Sequence, residues 1–121
     1  MKICISSTGD NLDSGLDSRF GRCQYFIFAD SETLDFEAVK NSYKDAGGGV
    51  GIQAGQLVAE KQAKVVITGN VGPNAFRTLQ AAGIEIITRA SGSIKEVIEK
   101  YNKGELEKME GPTVGRKFGM S

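Results

Sequence analysis

An α/β fold is what the sequence predicts: a five-stranded mixed sheet in the order 3-2-1-4-5, with three helices. Two observations carry that expectation. Short uninterrupted apolar runs such as Ile3-Cys4-Ile5 and Val65-Val66-Ile67 have the length and composition of strands buried on both faces. Three later segments repeat apolar residues at helical spacing and begin or end on recognisable helix signals.

Taken in order, Lys2 to Ser6 is the first strand. Residues 7–18 form a polar, turn-rich loop with Asp10, Asp13 and Asp17, and a first loop this long in a small domain points to function. Arg19-Phe20-Gly21-Arg22-Cys23 leads into a second strand from Gln24 to Ala29. Asp30-Ser31-Glu32 marks a turn, and Leu34 to Asn41 reads as a third strand, at an edge because of Glu37 and Lys40. After the glycine run, a first helix spans Gly51 to Lys61. Lys64 to Thr68 is the fourth strand, and Pro73 then stands at a first helical position. The second helix carries Ala75, Phe76, Leu79 and Ala82 and stops at Gly83. Ile84 to Thr88 is the fifth strand. Ser93-Ile94-Lys95-Glu96 is a capping box opening the third helix, with Ile94, Val97, Ile98 and Tyr101 on one face and Gly104 past its end. Residues 1–104 therefore form one domain, and 105–121 read as a mobile tail with Arg116 and Lys117.

Three strands followed by two crossover units fix the expected topology. Right-handed crossovers place strands four and five beside strand one. The loop after strand one, the RFGRC segment, the glycine run, the turn after strand four and the loop after strand five then share one end. Ligands in open α/β sheets bind beyond the carboxyl ends of parallel strands.

Composition narrows the function. Of 121 residues, fifteen are basic and fifteen acidic, so the basic excess a nucleic-acid binder needs is missing. No apolar run approaches a membrane span, and the chain goes directly into a strand, so a cytoplasmic location is expected. Two cysteines make no disulfide framework. Histidine is absent, which removes the commonest general base and a common metal ligand together.

The stretch DAGGGVGIQAG, Asp45 to Gly55, is the most informative. Glycine-rich backbone running into a helix offers unpaired N–H groups and the positive end of a dipole, which suit an anion. Elsewhere such runs are simply linkers. Arg19, Arg22 and Arg89 add positive charge to the same edge; the loop aspartates oppose it unless they cap turns or face outward. Cys23 fits either a small buried hydrophobe or a soft ligand, whereas Cys4 belongs in the core. Arg22 fits either a ligand contact or a brace for the first loop through carbonyls or Asp17, and Phe20 a lid on the core or a stacking platform. Gly49, Gly51 and Ala54 match a loose dinucleotide fingerprint, but the acidic residue such a site needs after the next strand is missing.

RFGRC before an aromatic strand, then GGGVGIQAG, VVITGNVGPNAF and LQAAGIEI in that order, resemble the dinitrogenase iron-molybdenum cofactor biosynthesis family over residues 1–104. The resemblance implies a ribonuclease H-like fold and a nitrogenase-accessory role as a non-catalytic carrier of an anionic, molybdenum-containing metal–sulfur cluster. A related small protein of that family holds a molybdenum–copper sulfide cluster without covalent attachment. The histidine associated with cluster-carrying members has no counterpart here. The residues implied to hold the cluster are Arg19, Phe20, Gly21 and Arg22, Gly48, Gly49 and Gly51, and Gly69, Asn70, Gly72 and Asn74, with Cys23 as an optional metal ligand. A cluster-assembly or client protein is the implied partner. The alternatives are a regulatory module for a small anion or nucleotide at the same edge, and a metal-dependent phosphate-ester hydrolase using the loop aspartates.

Overall fold

The computed structural model describes residues 1–44 and 49–106. The elements are β1 (Lys2–Ser7), β2 (Tyr25–Asp30), β3 (Phe36–Lys40), α1 (Val50–Glu60), β4 (Val65–Ile67), α2 (Pro73–Ala81), β5 (Glu85–Ile87) and α3 (Ile94–Asn102). The sheet order is β3-β2-β1-β4-β5, as expected. β1 pairs antiparallel with β2 and parallel with β4; β2–β3 is antiparallel and β4–β5 parallel.

The period-two alternation of a strand divides the core into two layers. Cys4, Phe26, Phe28 and Val66 face α1 and α2, where they meet Val58, Phe76 and Leu79. Ile3, Ile5, Ile27 and Ile67 face the other way, against Ile94, Val97 and Ile98 of α3. The central strand is thus covered on both sides, which is why it reads as an unbroken apolar run. No helix among the described residues is long and apolar enough to cross a membrane.

Strand bounds and those of α1 shift from expectation by at most one residue, except at the start of the third strand, which shifts by two. β3 begins at Phe36, two residues after the apolar Leu34. The Asp30 carboxylate accepts the Glu32 and Thr33 N–H groups, and Leu34, at φ 67, donates its N–H to the Asp30 carbonyl. The turn therefore extends through Leu34, whose side chain still packs on the α3 layer. The tail assignment and the glycines Gly47 and Gly48 fall largely or wholly outside the described residues; within the range 105–121 only Glu105 and Leu106 are described.

Candidate functional site

The carboxyl ends of β1 and β4 lie side by side, and short polar side chains there hold the first loop down. Ser6 Oγ donates to the Asp17 carbonyl at 2.6 Å and lies 2.6 Å from Thr68 Oγ1. Asp17, itself buried, accepts the Arg19 N–H at 3.0 Å and both Nε and Nη2 of Arg19 at 3.3 Å. That fork fixes the guanidinium and raises its pKa, so Arg19 stays charged. The segment then runs alongside the turn after β4: Asn70 donates its N–H to the Ser18 carbonyl at 2.7 Å, and Phe20 to the Asn70 carbonyl at 3.3 Å. Farther on, Arg22 Nη1 donates to the Lys44 carbonyl at 2.7 Å. Arg22 thereby braces the turn after β3; the Asp17 pairing belongs to Arg19.

These segments and the starts of α1 and α2 enclose a hollow of about 360 Å³. Among the described residues Arg19, Phe20, Gly21, Arg22, Val50, Gly51, Asn70, Gly72, Pro73, Asn74 and Ala75 line it, and none of these is a carboxylate. The two helix N-termini touch: a β-carbon built on Gly51 would stand 3.2 Å from the Ala75 nitrogen. The first backbone bonds at each start are Gln53 N–H to Gly49 O and Phe76 N–H to Gly72 O. The N–H groups of Val50, Gly51, Ile52, Asn74 and Ala75 thus precede any intrahelical partner. Neither N-cap, Gly49 or Gly72, supplies a side-chain acceptor, and neither first turn contains an acid. α3 differs. Its N-terminus is closed by Ser93 and by the Glu96 carboxylate.

Most of the expected residues meet in this hollow, with three exceptions among those described. Gly69 lies outside the lining, because its bareness serves the fold: a β-carbon there would be 2.7 Å from Ser18 Cα. Gly49 caps α1 at φ 75, beside the lining residue Val50. Cys23 is 0% exposed in the α1/α2 core layer, and Sγ donates to the Phe20 carbonyl at 3.3 Å. Burial, and then the charge of Asp17, push its pKa up to about 12. Cys23 is not among the described residues that line the hollow. Of the two roles considered for Cys23, packing is the one this geometry fits. Phe20 lines the hollow but is itself buried, edge-on to Phe26 at 5.6 Å, which makes it a wall rather than an exposed stacking platform.

Arg89 is exposed at φ 63 and is not part of the lining, and Asp10 and Asp13 are exposed on the first loop. Among the described residues no three His, Cys, Asp or Glu side chains come together as a metal site. What the edge offers is hydrogen-bond donors and arginine charge. Sequence reasoning missed Asn41, a buried amide that donates to the carbonyls of Gly21 and Cys23 at 3.0 Å each and so sets the shape of the RFGRC turn. A polar residue at a strand end gives no signal of that reach.

Comparison with known proteins follows the same outline. Residues 1–104 match the family described as dinitrogenase iron-molybdenum cofactor. The apo form of the orange protein from Desulfovibrio gigas is 35% identical, with a TM-score of 0.89 over 93% of this chain and 95% of that one. A Thermotoga protein solved by NMR is 36% identical, with a TM-score of 0.80 over 98% of each chain. An uncharacterised protein of Methanocaldococcus jannaschii is 31% identical over 113 residues, 91% of this chain and 92% of its own length.

Proposed function

Since the chain belongs to the dinitrogenase iron-molybdenum cofactor family, we propose that it is a non-catalytic carrier or scaffold for an anionic metal–sulfur cluster containing molybdenum. The observation that carries this reading is the pair of touching helix N-termini, without a side-chain cap, in a hollow flanked by Arg19 and Arg22 and with no carboxylate among the described residues of its lining. The first-turn N–H groups of α1 and α2 would bind the cluster's negative edge. Arg19 and Arg22 would neutralise its charge, and Val50, Pro73 and Ala75 would give its polarisable sulfides an apolar wall. No thiolate takes part, so the cargo is held by hydrogen bonds and charge and leaves intact. That suits delivery to a cluster-assembly or client protein.

The test is anaerobic incubation of the full chain with tetrathiomolybdate and either copper(I) or iron(II), followed by desalting. A coloured protein carrying molybdenum by elemental analysis is expected; a colourless, metal-free protein overturns the reading. The size of the hollow also favours a second reading, since about 360 Å³ lies within the range of small-molecule pockets. A regulatory module for a small anion or nucleotide would show a thermal shift with nucleotides and none with thiomolybdate.

A further inference from the structure

Gly55 is not among the described residues of the hollow's lining, yet a β-carbon on it would be more crowded than on any glycine that is. It lies one turn after Gly51 on the same side of α1, about 6 Å along the axis. A glycine inside a helix is unfavourable relative to alanine, so Gly55 needs a reason. The reason is α2. A β-carbon on Gly55 would stand 2.7 Å from Thr78 Cγ2 and 3.0 Å from Thr78 Cβ, where ordinary contact begins at 3.4 Å. Rotating the threonine away is not free, because Thr78 Oγ1 donates to the Asn74 carbonyl at 3.0 Å. Asn74 lines the hollow and carries one of the N–H groups that precede the first bond of α2.

We propose that Gly55, with Thr78 opposite it, is a positioning residue that sets the distance between the two helix N-termini and hence the span of donors presented to the bound anion. The inference rests on the anion reading for its functional consequence and on helix contact alone for its geometry. A methyl at Gly55 wedges α1 from α2, and the gap opens at Gly51 and Ala75. Hydrogen bonds to one anion from both helices then lengthen together, and their strength falls steeply over a few tenths of an ångström.

The experiment compares four full-length proteins: wild type, Gly55→Ala, Gly55→Ala/Thr78→Ser and Gly83→Ala. The serine removes Cγ2 while keeping the hydroxyl that reaches Asn74. Gly83, at φ 75 past the end of α2 with nothing near its missing β-carbon, is the control for lost stability without lost spacing. Two readouts are taken on folded protein: the amide resonances of Val50 to Ile52 and of Asn74 and Ala75, and the affinity for tetrathiomolybdate with copper(I). Gly55→Ala is expected to shift those amides and to weaken binding about tenfold, the double variant to return both towards wild type, and Gly83→Ala to change neither. Unmoved amides or wild-type affinity in Gly55→Ala overturn the proposal. If Gly55→Ala does not fold, the double variant must fold and bind, and its failure to do so also overturns it. A wild type that takes up no thiomolybdate defeats the anion reading, while the amide shifts still judge the spacing.

Discussion

At Gly69 the backbone of β4's exit presses against the backbone of Ser18, with no room for a side chain. Gly69→Ala is expected to destabilise the fold by about 1–3 kcal/mol, the usual cost of overpacking, read from urea unfolding. The sequence marks Gly69 and Gly72 alike, but only Gly72 lines the hollow, because a glycine's neighbours are set by the fold and not by the chain. Cys23 poses the same problem with a sharper test. Cys23→Ala removes a buried sulfur and should lower stability by about 1 kcal/mol, while leaving thiomolybdate uptake unchanged. Loss of uptake in a folded Cys23→Ala protein would restore the cysteine as a ligand. The arginines were legible as positive charge at the right edge. Their partners were not, because Asp17 could pair with either arginine in sequence; in space it pairs with Arg19, and Arg22 donates to the Lys44 carbonyl.

Helix ends were the most legible features, since their signals are local. Pro73, Gly83 and the Ser93–Glu96 box all stand where the sequence puts them. The end of the third strand's turn was not legible, because Leu34 is apolar and still adopts a left-handed conformation to close the turn. The α3 box gives a prediction with a definite sign. Ser93 N–H donates to Glu96 Oε1 at 2.9 Å, and this bond holds the Glu96 carboxyl below its usual pKa. A carboxyl depressed in the folded state stabilises above its unfolded pKa, about 4.3, and that contribution fades as pH falls through the lower folded value. Glu96→Gln keeps an acceptor for Ser93 and should flatten this part of the acid limb in a plot of melting temperature against pH. Ser93→Ala should cost about 1 kcal/mol at neutral pH. An acid limb identical in wild type and Glu96→Gln would show that the carboxylate does not couple to folding.

The order of the sheet was readable from the chain because handedness leaves few ways to add two crossover units to a three-strand meander. That one rule also brought distant loops to one edge. The hollow itself was not readable, since it depends on how closely α1 approaches α2. The charge balance has a consequence at this scale too. With fifteen basic and fifteen acidic residues the molecule has no net field to draw in an anion. Any attraction must be local, acting within a screening length of about 8 Å at physiological ionic strength. Arg22→Ala should therefore weaken tetrathiomolybdate binding about tenfold, equivalent to about 1.4 kcal/mol. Lys64→Glu changes the net charge by twice as much, but Lys64 precedes β4 at the opposite end of the sheet. It should alter affinity by less than about twofold at that screening length. Titrations of both variants at low and high salt separate the cases, because salt should shrink the Arg22 effect and leave Lys64→Glu where it was. An equal loss from the two substitutions would mean that overall charge, and not the built edge, governs binding.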